Sequence, residues 1–134
     1  MNSILLVEDT SALAEQVADL LRMEGYNVTV AENGLAALSK LTGSMPDLLI
    51  TDLLMPEMDG FELIRYIRGE RELQHLPVIV LTAKSDEESG VKLNGLHVSK
   101  LLRKPCEADD LINTVSGVMN SHSVTRDSPK TMSC

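Results

Sequence analysis

Five side chains that can take part in phosphate chemistry stand where apolar runs of this sequence end. Glu8 and Asp9 follow the first apolar run, and Asp52 follows the third. Thr82 closes the fourth run, and Lys104 stands shortly after a fifth. A charge at the edge of a core is costly unless it is paired. These groups therefore require one another, or a bound ion, as partners.

Phosphoryl transfer is the chemistry that suits such a set. Three carboxylates at one place would repel one another, and two partners would relieve this: the ammonium group of Lys104 and a hard divalent cation. Mg²⁺ is typically held by one or two carboxylates together with phosphate oxygens and water. Phosphoryl transfer is catalysed mainly by positioning and charge neutralisation. A carboxylate can itself be the nucleophile and form an aspartyl phosphate.

Alternating strand and helix patterns must bring these groups together. Apolar or β-branched runs predict strands over 3–7, 27–31, 47–51, 76–82 and 98–102. Helical spacing predicts helices over 10–24 and 35–41, a third capped by Asp59, a weak polar one over 86–94, and a last one over 107–119. This order predicts an α/β, flavodoxin-like, doubly wound (βα)5 fold with a parallel sheet in order 2-1-3-4-5. Sites in such folds form at the carboxyl ends of the strands.

Length and composition restrict the class of protein. The 134 residues suit one domain, which we place over 1–119, with a polar tail over 120–134 that is disordered or begins a linker. The formal charge, 12 − 20 = −8, argues against direct nucleic-acid binding by this domain. No apolar stretch approaches the roughly 20 residues that span a bilayer, and the N-terminus lacks the pattern of a signal peptide. Cys106 and Cys134 make an unsuitable disulfide pair, so we expect a cytoplasmic protein.

The motifs, taken together, resemble the receiver domains of two-component response regulators. They read ILLVED at 4–9, NGLAAL at 33–38, TDLLMPEMDG at 51–60, PVIVLTA at 77–83 and KP at 104–105. The resemblance covers about residues 3–119. It implies a switch protein, rather than a metabolic enzyme, that takes a phosphoryl group from a histidine kinase or phosphotransfer protein. The switch would then signal by contact with a downstream protein target.

The resemblance also implies a role for each acidic residue. Asp52 looks like the phosphoacceptor. Asp9 looks like a direct Mg²⁺ ligand, with Glu8 acting through metal-bound water. The backbone carbonyl of Leu54 would complete the protein ligands of the metal. The Leu54 side chain cannot orient a hydrolytic water beside Asp52, so we expect slow self-dephosphorylation.

The remaining family positions concern the phosphoryl group and the switch. Thr82 would hydrogen-bond the phosphoryl group, and the small Ala83 would leave its backbone N–H open to it. Lys104 would pair with the phosphoryl group, aimed by a cis bond to Pro105. The sequence departs from the family at Leu101, where many members carry an aromatic residue that swings inward with the threonine. This departure affects how phosphorylation would be coupled to an output.

Several alternatives stay open at this point. The chain could be a pseudo-receiver, a binding module that does not use phosphorylation, or the receiver fragment of a longer DNA-binding regulator. A phosphohydrolase with an aspartyl intermediate is disfavoured, because such enzymes often carry an acid where Leu54 stands. The face formed by the 86–94 segment, the fifth strand and the last helix suits protein contact, so we expect a monomer or a weak dimer through it.

Overall fold

Five strands and four helices form the part of the chain that the computed structural model describes, which is residues 2–53, 55, 57–83, 95–104 and 106–127. The strands are β1 Ser3–Val7, β2 Asn27–Ala31, β3 Leu48–Thr51, β4 Val78–Thr82 and β5 Lys100–Arg103. The helices are α1 Ser11–Met23, α2 Gly34–Gly43, α3 Gly60–Gly69 and α4 Ala108–Asp127. The helix predicted over 86–94 lies outside the described residues.

All neighbouring strands pair in parallel, and the sheet order is β2-β1-β3-β4-β5. This confirms the predicted flavodoxin-like order. The register places Val7 beside Thr51, and Thr51 beside Val80. Because the strands are parallel, their carboxyl ends meet at one edge of the sheet. The residues that follow β1, β3 and β4 therefore share that edge.

The sheet is covered on both faces, which is why its central strands β3 and β4 are apolar up to their last residues, Thr51 and Thr82. Leu49 and Ile50 are consecutive residues of β3, and they point into different layers because side chains alternate along a strand. Leu49 packs in the layer that contains α2 and α3 side chains, and Ile50 packs in the layer of α1 and α4. All five residues of β4 are buried. Continuous apolar runs of this kind are typical of parallel sheets.

The capping role predicted for Asp59 is confirmed. The carboxylate of Asp59 accepts a hydrogen bond from the backbone N–H of Glu62 at 2.9 Å. The Glu62 side chain accepts one in return from the backbone N–H of Asp59 at 3.1 Å. This reciprocal capping box satisfies donors that the first helical turn leaves without partners. It begins α3 directly after the loop that follows Asp52.

Most element boundaries lie within one or two residues of the sequence prediction; β4, for example, begins at Val78 rather than at residue 76. The fifth strand begins at Lys100 rather than at residue 98, and Ser99, whose N–H donates to the carbonyl oxygen of Val78 in β4 at 2.8 Å, still belongs to the entering loop. The last helix continues to Asp127, beyond its predicted end at Met119. Met119 ends the buried apolar face of α4, but no proline interrupts the chain before residue 129. The division into a domain over 1–119 and a tail over 120–134 stays a prediction.

Arg68, at the end of α3, organises the edge of the sheet opposite to the carboxylates. Its guanidinium donates hydrogen bonds to the carbonyl oxygens of Gln74 at 3.0 Å, Leu76 at 2.7 Å, Leu96 at 2.7 Å and His97 at 2.9 Å. Burial lowers the pKa of Arg68 from its ordinary value, which lies so far above neutrality that the group stays charged. One side chain thus ties α3 to the segments that enter β4 and β5.

Gly60 occupies a position where a side chain does not fit. A Cβ atom there would collide with the carbonyl oxygen of Asp52 and would lie 2.8 Å from Cα of Leu53. We expect Gly60→Ala to lower the free energy of unfolding by about 2 kcal/mol, because the backbone at Asp52 must shift. Urea denaturation measures this, and Gly69→Ala, whose Cβ would meet nothing within 4 Å, is the matched control. Equal stability of the two variants would contradict the expectation.

None of the helices in the described part of the chain combines the length and the apolar character that crossing a membrane requires.

Candidate functional site

The structure brings the three predicted carboxylates together at the carboxyl edge of the sheet. Glu8 and Asp9 follow β1, and Asp52 follows the adjacent β3. One carboxylate oxygen from each lies within 4.8 Å of the others. Glu8 and Asp52 are buried, with 5% and 8% of their surface exposed, whereas Asp9 is exposed. The site therefore has two buried carboxylates and one that is exposed to solvent.

Lys104 is the cationic partner of the two buried carboxylates. Its Nζ atom lies 2.6 Å from Oε1 of Glu8 and 2.7 Å from Oδ2 of Asp52. The backbone N–H of Lys104 donates to the carbonyl oxygen of Thr82 at 2.8 Å. This bond continues the pairing of β5 with β4 and places the lysine at the carboxyl edge. Charge-assisted hydrogen bonds of this length offset part of the cost of removing the charges from water.

The environment of Lys104 favours its charged form. Burial by itself lowers the pKa of Lys104, but the hydrogen bonds and negative charges of Asp52 and Glu8 raise it by more. The net result is a pKa above the ordinary value for lysine. The ammonium group is consequently charged at neutral pH. A charged lysine is what the neutralisation of a phosphoryl group requires.

The two oxygens of the Asp52 carboxylate have different partners. Oδ2 contacts Lys104, and Oδ1 accepts a hydrogen bond from the backbone N–H of Leu53 at 2.6 Å. The backbone N–H of Asp52 donates to the carbonyl oxygen of Val7 at 3.2 Å, which ties Asp52 to β1. Glu8 is oriented similarly, since its Oε2 atom accepts a hydrogen bond from the N–H of Thr10 at 3.2 Å. Both carboxylates are thus held in defined orientations.

The structure describes three of the other predicted site residues, which are Thr82, Ala83 and Leu101. Thr82 is the last residue of β4 and is completely buried, and Ala83 follows it at the same edge. Ala83 and Lys104 line a cavity of about 530 Å³ between α1 and α4. Leu101 lies in β5 with 40% of its surface exposed. Leu54 and Pro105 lie outside the described residues.

The donor set fits a hard divalent cation. Three carboxylates and one ammonium group leave a formal excess of two negative charges at the cluster. All the clustered ligand atoms are carboxylate oxygens, which Mg²⁺ prefers. Within the residues that the structure describes, no second group of three such side chains comes together in this way. The fit rests on the burial of Glu8 and Asp52, because exposed acidic groups often cluster without a metal.

Two groups of this site were absent from the sequence prediction. They are the backbone N–H of Leu53, which holds Asp52, and the hydroxyl of Thr51, which donates to the carbonyl oxygen of Asp52 at 2.8 Å. A backbone N–H has no sequence signal. The threonine had a weak one, because it is a hydroxyl residue at the end of a run that is otherwise apolar and buried.

Similarity to curated proteins indicates which family carries this arrangement. Residues 4–116 match the response regulator receiver domain. The chain is 40% identical over 117 residues to the sensor histidine kinase TmoS of Ectopseudomonas mendocina, which is 87% of this chain and 12% of TmoS. It is 34% identical over 119 residues to the sensory transduction protein RegX3 of Mycobacterium bovis, which is 89% of this chain and 51% of RegX3. The chain thus spans only a part of these relatives.

Solved structures agree with the sequence comparison. The receiver domain of a signal transduction histidine kinase from Syntrophus aciditrophicus superposes with a TM-score of 0.84 at 36% identity, covering 90% of this chain and 92% of that one. The chemotaxis protein CheY4 of Vibrio cholerae gives a TM-score of 0.83 at 29% identity, covering 88% and 98%. With a family match that extends over most of its length, this chain belongs to the response regulator receiver domain family.

Proposed function

We propose that this chain is the phosphorylatable receiver of a two-component phosphorelay and that Asp52 is its phosphoacceptor. The observation that carries the proposal is the pairing of Asp52 with Lys104 at 2.7 Å, in a cluster that also contains Glu8 and Asp9. A buried carboxylate beside an ammonium group is costly to maintain for stability alone. The same pair is suited to receive a phosphoryl group and to neutralise it.

In the proposed reaction, a carboxylate oxygen of Asp52 attacks the phosphorus atom of a phosphohistidine on the donor. The new bond joins oxygen to phosphorus, and the bond from phosphorus to the imidazole nitrogen breaks. The electron pair of that bond stays with the imidazole, which leaves as a neutral ring when its other nitrogen carries a proton. Lys104 exchanges its contact with the carboxylate for one with the transferred oxygens. Charge neutralisation and positioning then supply most of the catalysis.

Mg²⁺ is the cofactor that we propose for this site. Asp9 and Asp52 would bind it directly, Glu8 would act through a bound water, and the backbone carbonyl of Leu54 would be a further ligand. When bound, the ion would neutralise charge on the phosphoryl oxygens. Hydrogen bonds from Lys104 and from the backbone N–H of Leu53 already hold the two buried carboxylates in place. Binding of the ion would therefore cost less side-chain conformational entropy.

The remaining roles follow the family pattern and are part of the proposal. Thr82 and the N–H of Ala83 contact the phosphoryl group, and Pro105 aims Lys104. Thr82 carries the switch without an aromatic partner, because Leu101 occupies that position. The donor is a histidine kinase or phosphotransfer protein, and the output is contact with another protein in the cytoplasm. The net charge of −8 disfavours direct nucleic-acid contact by this domain.

Intact-mass spectrometry tests the proposed function. The protein is incubated with acetyl phosphate in Mg²⁺ and, separately, in EDTA. We expect a gain of one phosphoryl group in Mg²⁺, little gain in EDTA, and loss of the group on treatment with hydroxylamine, which cleaves acyl phosphates. A folded sample that binds Mg²⁺ but gains no mass would instead indicate a pseudo-receiver. Turnover of a generic phosphate ester would indicate a phosphohydrolase.

A further inference from the structure

The peptide unit between Asp52 and Leu53 carries a hydrogen bond at each of its ends. Its carbonyl oxygen accepts the hydroxyl of Thr51 at 2.8 Å. Its N–H donates to Oδ1 of Asp52 at 2.6 Å. A peptide unit is planar and rigid, so any rotation that moves the carbonyl oxygen also moves the N–H. The hydrogen bond from the Thr51 hydroxyl therefore restricts the position of the N–H that holds the Asp52 carboxylate.

The position of the Thr51 hydroxyl is set by the sheet. Thr51 is completely buried at the end of β3, beside Val7 of β1 and Val80 of β4. Both neighbours are apolar, and a buried hydroxyl without a hydrogen bond is costly. The side chain of threonine is also stiff, because it branches at Cβ. The donor is therefore held in one place and directed at the carbonyl of Asp52.

Gly60 restricts the same carbonyl from another direction. The Asp52 oxygen lies so close to Gly60 that a Cβ atom there would collide with it. The N–H of Gly60 also donates to the next carbonyl, that of Leu53, at 2.9 Å. The peptide unit is thus bounded by Gly60 and held by the threonine hydroxyl. Its N–H donates to Oδ1 of Asp52, while Oδ2 accepts a hydrogen bond from Lys104.

We propose that Thr51 is a positioning residue that orients the phosphoacceptor carboxylate of Asp52 through this peptide unit. The inference rests on the proposed function, since it concerns the efficiency of the same acceptor. Thr51 does not touch the phosphoryl group. It determines which carboxylate oxygen is bound by the backbone and which one faces the lysine. Loss of its hydroxyl leaves the chemistry possible but allows the carboxylate to occupy other orientations.

Three variants separate positioning from packing. Thr51→Val keeps the shape and removes the hydroxyl, Thr51→Ser keeps the hydroxyl, and Thr29→Val makes the same change at an exposed position of β2. With acetyl phosphate and Mg²⁺, we expect Thr51→Val to be phosphorylated about fivefold to tenfold more slowly, corresponding to one lost hydrogen bond. The phosphorylation rates of Thr51→Ser and Thr29→Val are expected to stay within about twofold of the parent rate, because both variants keep this hydrogen bond.

Hydrogen exchange of the Leu53 amide, followed by NMR, supplies a readout that does not depend on phosphorylation. Its exchange should be faster in Thr51→Val and unchanged in Thr51→Ser. If Thr51→Val fails to fold, Thr51→Cys, whose thiol is a weak donor, takes its place. A serine variant as slow as the valine variant, or a valine variant like the parent in both measurements, overturns the positioning role. If the parent itself takes up no phosphate, the proposed function fails, and amide exchange still decides whether Thr51 orients this peptide unit.

Discussion

An Asp52→Asn variant is expected to take up no phosphoryl group from acetyl phosphate and Mg²⁺, while it remains folded. The amide has the shape of the carboxylate, and its oxygen can still accept the Leu53 N–H that now bonds Oδ1. It lacks the anionic oxygen that attacks phosphorus. Lys104 keeps one anionic partner, because Glu8 lies 2.6 Å away. The variant should therefore lose phosphoryl uptake and keep its stability. Intact mass measures the uptake, and a urea denaturation curve measures the stability.

The matched control for this variant is Asp47→Asn. Asp47 precedes β3 at the opposite end and accepts a hydrogen bond from the N–H of Ser3 at 2.8 Å. The same chemical change there should leave phosphoryl uptake intact. Uptake by Asp52→Asn at the rate of the parent would contradict the assignment of the acceptor. Glu8, the other buried carboxylate that contacts Lys104, would then be the residue to replace.

A Lys104→Met variant is expected to lose both stability and phosphorylation rate. Methionine keeps most of the apolar stem but leaves two buried carboxylates without their cation. We expect the free energy of unfolding at neutral pH in EDTA to fall by about 3 kcal/mol. Phosphorylation should slow about a hundredfold, because a charge that stabilises the transferred group is lost. Mg²⁺ should restore part of the stability, since it supplies positive charge to the same carboxylates.

The pH dependence of stability provides a second test of Lys104. Its pKa is raised in the folded protein by the contacts with Asp52 and Glu8, which exceed the opposing effect of burial. A raised pKa means that the stabilisation is fully present below the ordinary lysine pKa of about 10.4. It is lost as the pH rises through the higher folded-state value. The stability difference between the parent and Lys104→Met should therefore be constant near neutrality and shrink in strong alkali.

The control for this variant is Lys100→Met, at an exposed position of β5. Its free energy of unfolding in EDTA and its phosphorylation rate should both match those of the parent. Equal stability of Lys104→Met and the parent at neutral pH in EDTA would show that the two carboxylates do not need the lysine. The site would then be better described as a solvated acidic edge than as a compensated buried cluster.

Local signals in the sequence were sufficient for most of the fold. The apolar runs of β1, β3 and β4 and the β-branched run of β2 predicted strands, because the short period of a strand and its burial leave a direct pattern. The capping residue Asp59 predicted the beginning of α3 through a contact within four residues. The ends of helices and strands that depend on packing were harder to predict. Residues 98 and 99 precede β5 rather than belong to it, and α4 continues past its apolar face.

The candidate site shows the same division. Residue types and their places at strand ends were enough to predict that Glu8, Asp9 and Asp52 share one edge with a lysine. The sequence by itself thus determined which chemical groups are available there. Only the tertiary structure decided that Lys104 contacts Glu8 and Asp52, from which it is 96 and 52 residues distant along the chain. It also decided that the Thr51 hydroxyl donates a hydrogen bond to the carbonyl oxygen of Asp52. Such contacts depend on strand register and on ångström-scale distances between side chains, and no pattern of residue types specifies these.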